Sequence, residues 1–143
     1  MSVNSFFREL LINEEEKNVE DEAQVLASRS FPYWKNTNLQ EEGVARDIYP
    51  FDPRNQGQRV DIVNHCAQKC YNENACMAFT FMENTKRCWL RTSWPVTIDE
   101  NDERYTQNMR AQKPTSGHRG SYVSNTVPLI KPSGRVVVGE KER

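Results

Sequence analysis

The sequence predicts a small α+β module, a helix packed on an antiparallel sheet, and three observations predict it. All four cysteines fall within residues 66–88, spaced C-x3-C-x5-C-x11-C. Within that stretch a helical period gives way to a strand period. Apolar material is also scarce: 29 of 143 residues are Phe, Leu, Ile or Val, near the border where chains stop folding. A core built on so little must be small, and small cores need staples, which favours disulfides at the cysteines.

The central elements follow from these periods. Asp61 reads as the N-cap of a helix over residues 62–72. Cys66 and Cys70, four apart, lie one above the other on one face of it. From Met77 the period is two: Met77, Phe79 and Phe81 alternate with Ala78, Thr80 and Met82, as in a half-buried strand. Glu83 to Lys86 is a polar turn, and Arg87 to Arg91 is the return strand that carries Cys88. Two thiols on the helix, one just past it and one on the far strand suit two staples. The spacing alone leaves three connectivities open.

The flanks divide the chain into residues 1–30, 31–104 and 105–143. The first is an amphipathic helical arm, whose Phe6, Phe7, Leu10 and Leu11 are candidates for docking a partner or sealing the core. Phe31-Pro32-Tyr33-Trp34 is an aromatic cluster at a break, because Pro32 disfavours a helix through residue 31. Its large area favours burial. Pro50, Pro53 and Gly57 make residues 47–60 extended or turn-rich, with one strand near Ile48. Residues 94–98 read as a strand or extended arm, and 99–104 as a charged loop. From Tyr105 onward prolines and glycines punctuate a stretch without helical period, an extended basic arm of which part completes the module's sheet. Within it Val136, Val137 and Val138 form a short strand candidate, expected to add to the edge of a partner's sheet.

The run C-A-x-x-C, five residues, C-x-A-F-T-F, a turn and C-W-L-R resembles the PAN/apple family, in which a helix is disulfide-bonded to a hairpin. The resemblance covers Cys66, Ala67, Cys70, Cys76, Ala78, Phe79, Thr80, Phe81, Cys88, Trp89 and Leu90, with weaker echoes at residues 47–50 and 116–117. It implies a disulfide-stapled PAN/apple-like fold with Cys66 joined to Cys88 and Cys70 to Cys76, and with Phe79, Phe81, Trp89 and Leu90 in the structural core. It also implies a binding unit for proteins or carbohydrates. No carbohydrate-reading residues carry over, because the matched motif is structural.

Charge is segregated. Residues 1–30 carry a net −4, 31–103 a net −3 and 104–143 a net +6. Such ends either stay solvated or attract one another, within a chain or between copies. The basic tail holds Tyr105 and Tyr122 as its aromatics, too few for a nucleic-acid groove with stacking platforms. No stretch approaches a membrane-spanning length, and Arg8 and Glu9 interrupt the apolar run at the start, so neither membrane insertion nor a signal peptide is expected.

Catalytic chemistry finds no support: His65 adjoins Cys66 but consecutive helix residues do not face each other, and neither G-x-S-x-G nor H-E-x-x-H occurs. No enzyme activity, cofactor or metal is expected. The chemical rival is zinc held by the four cysteines, or by three with His65, but the last two cysteines are too widely spaced for a second short knuckle. The expected function is that of a non-catalytic structural and binding protein whose arms lock neighbouring subunits of a large assembly. Disulfides on a chain with no visible export signal suggest a minor capsid or cement protein of a large virus, placed in the virion. The alternative is an extracellular or surface module, with Met1 not the native start, that binds a protein or carbohydrate ligand. A zinc-stabilised intracellular adaptor is the second alternative.

Overall fold

A computed structural model describes residues 26–40, 48–49, 56–122 and 125–140. The N-terminal arm's candidates Phe6, Phe7, Leu10 and Leu11 fall outside them; of the arm's last residues, 26–29 are helical and Ser30 opens a strand. Among the described residues the strands are β1 (Ser30–Lys35), β2 (Thr37–Gln40), β3 (Ile48–Tyr49), β4 (Gln58–Arg59), β5 (Ala78–Met82), β6 (Arg87–Arg91), β7 (Val96–Asp99), β8 (Pro114–His118) and β9 (Gly134–Val137). Besides the helical residues 26–29, the helices are α1 (Val63–Asn72) and α2 (Gln107–Gln112).

The described strands build a seven-stranded antiparallel sheet in the order β3-β6-β5-β8-β1-β9, with β4 also paired to β6, and a separate β2–β7 ribbon. Side chains alternate across the sheet. Phe79 and Phe81 of β5, Cys88 and Leu90 of β6, Phe31 of β1 and Val136 of β9 form one buried cluster with Cys66, Ala67 and Cys70 of α1. On the opposite face Trp34 and Ala78 pack with Leu39 of the ribbon and with Trp94. The result is three layers: helix, sheet, ribbon. Each large apolar side chain buried in them contributes about 1.5–3 kcal/mol.

Several sequence expectations change. The helix begins one residue later than expected, with Ile62 at the N-cap position and no side-chain cap, so Asp61 does not cap it. Residues 105–143 are not simply an arm. Thr106 caps α2 by accepting a hydrogen bond from the Met109 N–H at 3.2 Å, and Lys113 ends it in the left-handed conformation (φ 54°). β8 then lies inside the sheet, between β5 and β1. Its sequence, Pro-Thr-Ser-Gly-His, has no large apolar side chain, so strand periodicity could not reveal it, yet all five residues are buried. Gly117 is required there: a Cβ would stand 2.8 Å from the Phe79 ring and 2.7 Å from the Pro32 carbonyl oxygen.

β9 corrects another expectation. Val136 and Val138 do not wait for a partner's sheet; they are buried in the helix-side core, and β9 pairs with β1 of the same chain from Ser30↔Val137 to Tyr33↔Gly134. Val137, on the other face, is 64% exposed. The aromatic cluster at residues 31–34 is a strand in spite of Pro32. The ladder to β8 starts at Tyr33, so the missing N–H falls at its end.

Candidate functional site

Cys66 bonds Cys88 with Cα atoms 5.6 Å apart, tying the middle of α1 to β6, and Cys70 bonds Cys76 at 5.1 Å, closing the turn after the helix. These are the pairs the resemblance implies. All four sulfurs are consumed, so the zinc alternative loses the thiolates it requires. Phe79, Phe81 and Leu90 lie in the helix-side core. Trp89 does not join them. It points to the other face of β6 and is half-buried beneath Gly57, whose φ of +73° and 2.9 Å approach of a would-be Cβ to the indole leave room for glycine alone.

Sequence reasoning missed the two residues that organise the buried polar chemistry. Arg119, 7% exposed, inserts its guanidinium at the C-terminal end of α1. Its Nε donates to the Cys76 carbonyl at 2.7 Å, and one Nη donates to the carbonyls of Cys70, Tyr71 and Glu73 at 3.0, 3.0 and 2.8 Å. The cation also lies 5.1 Å from the Tyr71 ring centroid and 6.0 Å from that of Phe31. Burial lowers the affinity of this group for its proton, but a guanidinium stays ionised in proteins. The negative end of the helix dipole, the carbonyls and the two ring faces replace water around it. Arg119 is therefore a clamp on the second disulfide loop, and no periodicity marks it.

His118 sits on the opposite face in an aromatic box. Its ring stacks on Trp34 at 5.5 Å and meets Trp94 edge-on at 5.5 Å, with Tyr122 at 6.1 Å. Burial pushes its pKa down, against a hydrogen bond to the Arg119 carbonyl that raises it, so the ring is held neutral. Beside it runs a buried hydroxyl chain in which Thr80 and Ser116 share a 3.0 Å hydrogen bond and Ser116 donates to the Thr37 carbonyl at 2.8 Å. Every polar atom named here is spent on the fold, and the site is enclosed.

The open chemistry lies on either side of the start of α1. One cleft of 460 Å³ is lined by Arg59, Asp61, His65, Gln68, Lys69 and Asn72 above a floor of Val60. A second, of 340 Å³, runs between α1 and the sheet and presents Tyr33, Lys35, Asn64, Glu83 and Lys86. Both volumes fall in the range of small-ligand sites. Asp61 borders both, so the two clefts share a wall. His65, set aside as a nucleophile, stands here beside Lys69 and Arg59 as part of a basic rim; the i, i+4 spacing of His65 and Lys69 was the signal for it. Among the described residues no cluster of His, Cys, Asp and Glu offers a metal site.

Comparison with known proteins gives one finding. Residues 46–122 match the PAN domain family. That span takes in α1, β5, β6 and β8, while β1 and β9 of the same sheet lie outside it. No curated protein matches the chain, and no solved structure does.

Proposed function

The chain belongs to the PAN domain family, and from that premise we propose that it is a non-catalytic recognition module that holds a protein or carbohydrate partner in the clefts beside α1. The observation that carries this reading is the contrast in how polar groups are used. Arg119, His118, Thr80 and Ser116 are spent inside the fold, whereas Arg59, His65 and Lys69 face an open cleft. A surface with several convergent donors and acceptors and no use in folding is what a binding site requires. The two disulfides fit an oxidising, extracellular setting. Among the described residues no helix is long and apolar enough to cross a membrane.

The finer reading, a minor capsid or cement protein locking neighbours in a virion, rests on disulfides without a visible export signal together with two long arms. Since β8 and β9 belong to the module's own sheet, that reading keeps residues 1–25 as its locking element, and the module binding a protein or glycan moves ahead of it. The test is binding of the full chain to glycan arrays and to surface proteins, repeated with the Arg59→Ala, Lys69→Ala double variant. Loss of binding with an unchanged melting temperature supports the reading. Undiminished binding by the variant moves the site away from this cleft and overturns it.

A further inference from the structure

β9 forms an outer edge of the sheet, and it lies outside the span that matches the PAN domain family. One side of it is paired. Opposite Val137 stands Ser30, whose carbonyl accepts from the Gly120 N–H at 2.7 Å and so points away from β9, towards β8. One residue on, the Val138 N–H does bond back to β1, donating to the Arg29 carbonyl at 2.9 Å. Antiparallel ladders alternate in this way. Val136 and Val138 therefore turn their backbone groups inward, while Arg135 and Val137 turn theirs to the outer side. Among the described residues these outward N–H and C=O groups meet no partner.

Such an edge is a template for a further strand. Its length is bounded at both ends. Gly139 would be the next residue to face outward, but its N–H donates to Gln68 Oε1 at 2.8 Å and its carbonyl accepts from Gln68 Nε2 at 3.4 Å. At the other end the Ser133 N–H turns inward to the Tyr33 carbonyl at 2.8 Å. The pairable stretch is thus residues 134–138, with Val136 at its centre.

A stretch whose outward residues stand evenly about its middle is complementary to itself. Turned end for end about Val136, it sets Arg135 against Val137 of a second copy, and Val137 against that copy's Arg135. Each pair exchanges both backbone hydrogen bonds, so the outward groups of both edges are all used. Val137, 64% exposed in the single chain, then packs on the aliphatic stem of the opposing arginine, because both side chains stand on the ribbon face. The antiparallel direction also lays the end that bears exposed Glu140 beside the end of the other copy that bears exposed Lys131. A foreign strand would match the hydrogen bonds, but these side chains match a second copy.

We propose that β9 is a dimerisation edge, through which two copies of this chain pair about a two-fold axis at Val136 into one continuous sheet. The same patch serves on both sides, as a two-fold interface requires. A contact between two short strands buries little area, so the dimer is weak and forms as concentration rises. The pairing is independent of what the clefts beside α1 bind.

Sedimentation equilibrium of the full chain from micromolar to millimolar concentration tests it, with amide hydrogen exchange followed alongside. A monomer–dimer equilibrium is expected. The Arg135 and Val137 amides should gain protection as the dimer forms, while the Val136 amide is protected throughout. Val137→Pro removes an outward N–H that the fold does not use, so it should abolish the dimer and leave the fold intact. Lys131→Glu should weaken dimerisation on the order of tenfold, and adding Glu140→Lys should restore it; these variants test the pairing even if the proline variant does not fold. A chain that stays monomeric throughout overturns the proposal, as does a dimer that a folded Val137→Pro variant still forms. Charge reversals that leave dimerisation unchanged overturn the register on which it rests. Arg135 and Val137 amides equally protected in dilute solution also overturn it, because the chain would then cover its own edge.

Discussion

The two faces of the sheet are sealed by different chemistry. On the α1 face aromatic and aliphatic side chains are locked by two disulfides, and the buried cation, Arg119, is fixed by four carbonyls. On the ribbon face the seal is an aromatic box around a neutral histidine, next to a chain of hydroxyls. A covalent link resists acid but not reductant, whereas a buried imidazole resists reductant but not acid. One face therefore answers to redox conditions and the other to pH. The same small core fails in two separable ways.

The largest effect expected is on the helix face. Replacing Cys66 and Cys88 together by alanine opens a loop of sequence separation 22, and the chain-entropy relation puts the loss at about 3 kcal/mol in denaturant-unfolding free energy. Arg119→Met should cost a similar amount, about 3 kcal/mol, because it strips a charged donor from several buried carbonyls at once. Arg119→Lys should recover part of that loss, since the cation is kept and the fork is not. Replacing Cys70 and Cys76 is expected to cost less, about 2 kcal/mol, because the separation is 6 and Arg119 still grips both ends of the loop. If this smaller disulfide proves to matter as much as the larger, the clamp is not holding the loop.

The ribbon face is tested by acid. The folded pKa of His118 is depressed, so the unfolded chain binds the proton first as pH falls. Its stabilising contribution is complete above the ordinary histidine pKa of about 6.5 and is lost as pH falls towards the lower folded value. Melting temperatures followed from neutral to mildly acidic pH should decline through that window, with a slope of at most about 1.4 kcal/mol per pH unit from this one group. Arg135 adds to the depression, and among the described residues no carboxylate contributes to the shift. Asp102, held at about 2 by its hydrogen bonds from Arg104, titrates well below the window. His118→Gln should flatten the decline while leaving the sensitivity to reductant unchanged. The smallest effect should come from Val137→Thr, within about 0.5 kcal/mol, because that side chain is exposed and its neighbours Val136 and Val138 carry the burial.

Legibility in the sequence followed the apolar period. The helix with Cys66 and Cys70, the β5–β6 hairpin and the turn at residues 83–86 were all readable, because each repeats a simple spacing and the cysteine motif carries a family pattern. Trp89 shows the limit of that reading. Its place in the motif implied the core, but strand parity turns it away from Cys88 and Leu90. β8 was invisible because its residues are small or polar and are buried by their position between two strands, not by their own hydrophobicity. The basic cleft was half legible: His65 and Lys69 share a helix face by spacing, but Arg59 joins them through the pairing of β4 with β6.

By itself the sequence determined the α+β class, the helix-to-hairpin order, the elements that bear the four cysteines and the opposed charges of its two ends. Those follow from local period, composition and count, which need no knowledge of what lies across the fold. Only the tertiary structure decided that the C-terminal stretch supplies an inner strand and an edge strand, that Arg119 clamps the end of the helix, and that His118 is enclosed by Trp34 and Trp94. Each of these depends on partners 24 to 109 residues apart in the chain, such as His118 with Trp94 and Arg29 with Val138. Contacts at that range leave no periodic trace in a single sequence, since the hydrogen bonds and packing that fix them are made by whatever the folded backbone brings near.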